Sequence, residues 1–130
     1  MSERVIGIGV DIVEVSRIEH SMERHPERFL ERIFLPDEIA YAQSNRFPAI
    51  HLAARFAAKE AVSKAFGTGI GEKLGWRDIE VCKLPHGEPF LRFHGKGKIL
   101  AEERGVGKTF LSLTHTKEYA AASCVLAGTL

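Results

Sequence analysis

The stretch FAAKEAVSKAFGTGIG, residues 56–71, decides how this chain folds. Its alanine-rich part predicts a helix from about Pro48 to Phe66, because alanine favours helices and proline suits the first helical position. Ala58, Val62 and Phe66 recur every four residues, so they predict the face that packs inward. The glycine directly after Phe66 predicts the helix end.

An apolar strand and a series of short helices precede this long helix. Alternation from Val5 to Val13 predicts the strand. The period then becomes helical from Glu14 to Arg24, and Pro26 and Pro36 each predict the start of a further short helix.

The second half of the chain is mainly β-structure. A hairpin is predicted from two apolar runs around the turn-rich PHGEP, and the run from Lys96 to Arg104 is predicted as a helix that stops at the following glycine. The predicted strands are Ile79–Leu84, Phe90–Phe93, Thr109–Thr114 and Tyr119–Leu126. This order favours an α+β fold with helices packed on an antiparallel sheet.

Composition narrows the function classes. A length of 130 residues with 45% hydrophobic content fits one domain, residues 1–130. The net charge of +1 does not indicate a general nucleic-acid binder. No apolar run reaches the roughly 20 residues of a membrane span, and the N-terminus resembles no targeting segment, so we expect a cytoplasmic location. Cys82 and Cys124 lie in apolar strand-like runs, which favours buried reduced thiols over a disulfide.

The long helix carries charged side chains that suit a metal and phosphates. Glu60 and Lys64 are four residues apart, as are Lys59 and Ser63, so each pair shares a helical face. A solvated surface ion pair is the simpler interpretation of Glu60 and Lys64. The glycines of the following GTGIG segment favour a ligand site, because they allow the backbone to approach a ligand closely. The segment is not a Walker A motif, whose glycines open a helix.

Two polar residues outside this helix are further candidates. Asp11 ends the first strand, where it either caps the next helix or joins Glu60 in a two-carboxylate site. Such a site suits Mg²⁺, which takes one or two carboxylates together with waters and substrate phosphates. His115 follows a strand; it is either a loop residue or a ligand contact and proton carrier.

Three separated segments together resemble the holo-acyl-carrier-protein synthases, the short type of 4′-phosphopantetheinyl transferase. They are GIGVDIVEVSRIE (7–19), RFAAKEAVSKAFGTGIG (55–71) and LSLTHTKEYAAA (111–122). The resemblance implies transfer of 4′-phosphopantetheine from coenzyme A to a serine of apo-acyl carrier protein, with release of adenosine 3′,5′-bisphosphate. It also implies Mg²⁺ dependence and a role in fatty acid biosynthesis and lipid metabolism.

The resemblance also assigns residues. Asp11 and Glu60 are expected to hold the metal and to act in catalysis with Lys64, which would contact the phosphates. Either Glu60 or a water activated by the metal would accept the serine proton. The expected coenzyme A contacts are Lys59, Ser63, Lys64, Gly67, Thr68, Gly69, His115 and Thr116.

The family forms homotrimers with coenzyme A between subunits, so the same assembly is expected here. The acidic carrier is expected to dock on Arg17, Arg24 and Arg28; a solvated basic face is the simpler interpretation of these arginines. Two other functions fit the same residues: a coenzyme A-binding module without transfer, and a Mg²⁺-dependent phosphohydrolase of small pyrophosphates.

Overall fold

Helices and strands occur in the predicted order. The computed structural model describes residues 2–129, and the predicted α+β class is confirmed. The elements are β1 (Glu3–Glu14), α1 (Val15–Arg24), α2 (Pro26–Ile33), α3 (Pro36–Gln43), α4 (Pro48–Phe66), a 3₁₀ turn (Trp76–Asp78), β2 (Ile79–Lys83), β3 (Pro89–Phe93), α5 (Gly95–Arg104), β4 (Lys108–His115) and β5 (Tyr119–Thr129).

The main sheet has three antiparallel strands in the order β1-β5-β4, and β2 and β3 form a separate hairpin. In the main sheet, Ala122 of β5 lies between Asp11 of β1 and Leu113 of β4. A register irregularity falls between Val5 and Gly7. From Gly7 onward, odd-numbered residues of β1 therefore face the same side as even-numbered residues of β5.

Helix α4 lies against β1 at very close range. A Cβ atom at Gly7 would overlap the carbonyl oxygen of Ala65, and one at Gly9 would overlap that of Ala61. The close approach therefore requires glycine on the strand and is helped by small residues on the helix. It brings the backbone of β1, and with it Asp11, close to the C-terminal half of α4.

The opposite face of β1 is apolar and exposed. Ile8, Val10 and Ile12 are 71%, 66% and 65% exposed. The predicted alternation is therefore correct, but the glycine-containing face packs on the helix while the isoleucine-rich face points away from it. An exposed apolar face of this kind is typical of an interaction surface.

The core is built around α4. Ala58, Val62 and Phe66 are buried, as their spacing predicted. Cys82 and Cys124 are both free thiols, but only Cys124 is fully buried, because Cys82 lies on the small hairpin and is half-buried. Within residues 2–129, no helix combines the length and the apolar character needed to cross a membrane.

Candidate active site

The close contact between β1 and α4 brings Asp11, Glu60 and Lys64 together. The Lys64 ammonium donates to Asp11 Oδ1 at 3.0 Å and to the carbonyl oxygen of Val10 at 3.2 Å. Asp11 therefore pairs with α4 and does not cap α1, whose N-cap residue is Glu14. Lys64 pairs with Asp11, so the simple surface pair between Glu60 and Lys64 is not the arrangement found.

The Asp11 carboxylate lies close enough to Glu60 for its charge to act on that side chain. Burial raises the pKa of Glu60, and the charge of Asp11 raises it further, while Lys64 and Arg17 oppose the change. Two carboxylates in partly buried surroundings, incompletely balanced by cations, suit a divalent ion with hard-oxygen preference. No group of three or more His, Cys, Asp or Glu side chains forms a metal cage in residues 2–129. A two-carboxylate set nevertheless fits Mg²⁺, which usually keeps several waters.

Lys59 and Ser63 occupy positions different from those predicted. Both are fully buried, and the Ser63 hydroxyl donates to the carbonyl oxygen of Glu60 at 2.7 Å. A side chain without exposed surface does not reach a ligand, so the structure contradicts the predicted cofactor contacts of these two residues. The four-residue spacing placed them correctly on one face, but that face points into the core.

Lys59 instead forms a buried ion pair that links distant elements. Its ammonium lies 2.7 Å from Glu38 Oε1, and it also donates to the carbonyl oxygens of Ile33 and Trp76. Burial lowers the pKa of Lys59, and Glu38 opposes this change. Glu38 additionally accepts the backbone N–H groups of Leu35 and Val81. In the sequence, Glu38 stands two residues after the Pro36 that predicts a helix start, where acidic residues favour the helix dipole. Nothing in that position indicates a partner 21 residues away.

The segment after α4 is open, and its glycines serve the backbone. Gly67 and Gly69 have φ angles of 80° and 67°, in the left-handed region that favours glycine. Their N–H groups donate to the carbonyl oxygens of Lys64 and Ser63. These two amides are therefore used within the chain, and the Thr68 hydroxyl donates to the carbonyl oxygen of Gly69 at 2.9 Å.

His115 lies at the other end of α4. Its ring packs edge-on against the His51 ring, with ring centroids 5.5 Å apart. The Tyr41 ring packs edge-on against His51 as well. Burial lowers the pKa of His51, and the charge of His115 adds to this effect. His115 and Thr116 line a cavity of about 940 Å³ together with Arg46 and Lys117.

The two ends of α4 are far apart. Glu60 and Lys64 follow His51 by nine and thirteen residues, so they lie about 14 and 20 Å further along the helix axis at a rise of about 1.5 Å per residue. One small ion therefore cannot contact both His51 and Lys64.

A groove lined by cations runs along α1 and α2. Arg17, Arg24 and Arg28, which the sequence suggested as one face, do lie together there, in a cavity of about 540 Å³. Its floor is aromatic, since Phe56 stacks on Trp76 at 4.9 Å and the Arg17 guanidinium lies 5.5 Å from the Phe56 ring centroid. Sequence reasoning missed three further cationic or titratable side chains in the lining: His20, His25 and Arg32.

Comparison with known proteins shows the family. Residues 7–124 match the family model described as the 4′-phosphopantetheinyl transferase superfamily. The holo-[acyl-carrier-protein] synthase of Koribacter versatilis is 48% identical over 122 residues, which cover 94% of this chain and 98% of that protein. That of Moorella thermoacetica is 49% identical over 114 residues, with 88% of each chain covered.

The chain belongs to the holo-acyl-carrier-protein synthases. A solved holo-acyl-carrier-protein synthase from Helicobacter pylori, in complex with coenzyme A, has a TM-score of 0.83 and 34% identity, and the match covers 92% of this chain and 98% of that one. The synthase from Neisseria meningitidis has a TM-score of 0.88 and 32% identity, with 95% and 98% covered. The fold of the family therefore extends over nearly all of the chain.

Proposed function

We propose that this enzyme transfers the 4′-phosphopantetheine group of coenzyme A to a serine of apo-acyl carrier protein and releases adenosine 3′,5′-bisphosphate. Family membership supports the reaction. The observation that carries it at the level of residues is the meeting of Asp11, Glu60 and Lys64 at the contact between β1 and α4. We further propose that residues 1–130 act as one transferase domain, in the cytoplasm and in fatty acid biosynthesis.

Three side chains divide the chemistry. Asp11 and Glu60 would hold a Mg²⁺ ion, which when bound supplies positive charge to the pyrophosphate of coenzyme A. Lys64 is half exposed, so its ammonium can turn from Asp11 toward a phosphate and stabilise negative charge as the leaving group departs. Glu60 is suited to accept the serine proton, because burial and the charge of Asp11 raise the pKa of its carboxyl above the ordinary value.

We propose that the remaining contacts to coenzyme A come from the glycine segment and from the His115 end of the molecule. Thr68 lies in the open segment beside Lys64 and would contact the cofactor together with Gly67 and Gly69. His115 and Thr116 line a separate cavity with Arg46 and Lys117, whose cations suit a phosphate.

The same separation supports a homotrimer with sites between subunits. Within one chain, thirteen residues of α4 separate His51, which packs on His115, from Lys64, so a small ligand would not contact both ends. The apolar face of β1, with Ile8, Val10 and Ile12 exposed, offers a surface that a second copy can cover. In such an assembly, one subunit would supply Asp11, Glu60 and Lys64 and its neighbour the His115 cavity.

The arginine groove would bind the carrier. Arg17, Arg24 and Arg28 converge on one cavity above an aromatic floor, which suits an acidic protein surface carrying an apolar side chain at its centre. The charge of Arg17 also acts on Glu60, so a carrier docked in the groove would lie next to the catalytic carboxylate.

One incubation separates this function from its alternatives. The protein is incubated with coenzyme A, Mg²⁺ and apo-acyl carrier protein, and the carrier is weighed by mass spectrometry. A phosphopantetheine mass gain supports the transferase. Free phosphopantetheine with unchanged carrier would support the phosphohydrolase, and no product at all would support the binding module.

The variant Asp11→Ala tests the site itself. It should abolish Mg²⁺-dependent transfer while the chain stays folded, because Asp11 is partly exposed and its one ion pair within residues 2–129 is with the half-exposed Lys64. Asp37→Ala, which removes an exposed carboxylate on α3, is the matched control and should transfer normally. Near-normal turnover of Asp11→Ala would rule out the metal role.

A further inference from the structure

Two histidines share the arginine groove. On α1, His20 lies between Arg17 and Arg24 at helical spacing, on the face that lines the groove, and His25 follows at the start of α2. Both side chains are exposed. Imidazole is the side chain whose ordinary charge change falls between about pH 5 and 8.

Carboxylates are kept off the groove. On α1, Glu19 and Glu23 line the separate His115 cavity. On α2, Glu27 and Glu31 are exposed but lie outside the groove lining. The four cationic side chains of the lining are Arg17, Arg24, Arg28 and Arg32, and in the described chain no acidic side chain is part of that lining.

The other elements around the groove contribute aromatic rings to its lining, and the carboxylates of Glu14 and Glu60 lie near Arg17. Helix α4 contributes the Phe56 ring to the lining, and its Glu60 carboxylate acts on Arg17 at one end. The 3₁₀ turn contributes the Trp76 ring. A protonated histidine therefore adds to a field that is already positive, and in the free enzyme no lining carboxylate offsets that addition.

We propose that His20 and His25 are further carrier-docking residues, whose protonation strengthens binding of the acidic carrier as the pH falls from about 8 to about 6. This inference rests on the proposed function, because it assigns the groove to an acidic carrier protein. An acidic partner brings carboxylates to the imidazoles, and the ion pairs formed exist only when the histidines carry a proton. The groove then binds its partner through a constant arginine set and a pH-dependent histidine set.

The test measures binding without turnover. The full chain is titrated with apo-acyl carrier protein whose acceptor serine is replaced by alanine, at about pH 6 and about pH 8 and at constant low ionic strength, because salt screens exposed charges. We expect Kd to be roughly three- to tenfold lower at the acidic pH, since each exposed ion pair contributes modestly. The double variant His20→Gln, His25→Gln should lose most of this difference and keep the alkaline Kd.

A matched control and the transfer assay separate the outcomes. His86→Gln removes an exposed histidine from the turn between β2 and β3 and should keep the full pH difference. Equal Kd at both pH values in the wild type, or an unchanged difference in the double variant, would overturn the inference while transfer stays intact. Absence of both binding and transfer would overturn the proposed function as well.

Discussion

Lys59 and Lys64 lie on the same helix, but we expect their replacement to have opposite effects on stability and activity. Lys59→Met removes the fully buried ammonium that pairs with Glu38 at 2.7 Å. Methionine fills a similar volume, so the main loss is electrostatic. It leaves the Glu38 carboxylate buried without its cation and the carbonyl oxygens of Ile33 and Trp76 without this donor.

The expected cost is large. Removing one partner of a buried pair costs about 3–5 kcal/mol. For a chain of 130 residues, an unfolding entropy of about 2 cal/mol/K per residue converts this cost into a fall in Tm of roughly 10–20 °C. Lys64→Met makes the same chemical change at a half-exposed pair with Asp11, and should cost about 1 kcal/mol or less.

Thermal stability and transfer activity, measured on each variant, distinguish the two lysines. Unfolding is followed by circular dichroism at equal protein concentration, because any assembly makes Tm depend on concentration. Transfer to the carrier is measured well below the Tm of the weaker variant. We expect Lys59→Met to be unstable but active when folded, and Lys64→Met to be stable but nearly inactive.

Two results would refute this reasoning. A Tm of Lys59→Met within a few degrees of wild type would mean that the buried pair contributes little. If folded Lys59→Met had lost its affinity for coenzyme A, the result would support the predicted contact between Lys59 and coenzyme A, which the burial of Lys59 argues against.

Three further predictions concern the strand contact, the catalytic carboxylate and the groove. Gly9→Ala should lower the free energy of unfolding in urea by about 1–3 kcal/mol or more, because its Cβ overlaps the α4 backbone. The control Gly107→Ala, with open space around it, should change the free energy of unfolding by no more than about 0.5 kcal/mol. Equal losses would contradict the close-packing argument. The raised pKa of Glu60 means that folding favours its protonated form, so its ionised form costs stability above that pKa. In the absence of divalent metal, Glu60→Gln should therefore have a higher urea midpoint than wild type at about pH 8, and the difference should vanish as the pH falls through the raised pKa; a lower alkaline midpoint would reverse the sign of the argument. Arg17→Glu should raise KM for the carrier far more than KM for coenzyme A, and added salt should weaken carrier binding of the wild type. The control Arg92→Glu reverses an exposed charge outside the groove and should change neither KM. Equal effects of Arg17→Glu on both substrates would count against docking there.

Local sequence signals predicted the elements well. Helix α4 begins at Pro48 and its last residue precedes Gly67, as expected, because proline and glycine act on the backbone where they stand. The alternation in β1 was also correct. Which face of β1 turns inward was not predictable from hydrophobicity, because the close contact with α4 selects the face that carries glycines.

Contacts distant in sequence were beyond these signals. Lys59 and Lys64 are both lysines on one helix, and only the positions of Glu38 and Asp11, 21 and 53 residues away, distinguish their environments. The resemblance of three segments to one family brought Asp11 and Glu60 into one hypothesis, where residue spacing alone left a cap and a surface pair as alternatives. The histidines of the groove were missed because neither helix signals by itself which residues line the space between them.

The burial pattern of α4 has a consequence for how this enzyme can vary. From Leu52 to Phe66, Glu60 is the one half-buried position and Lys64 the one exposed position among otherwise buried residues. Under the proposed function, core residues and catalytic residues share one helix, and substitutions there should fall into two groups by phenotype. Those at the buried positions should lower the amount of folded enzyme in a cell, and those at Glu60 and Lys64 should lower the turnover of enzyme that is still abundant. A mutational scan that measured activity alone would not separate the two groups. A scan that also measured protein abundance would identify the exposed positions of the helix as those that affect activity without affecting abundance.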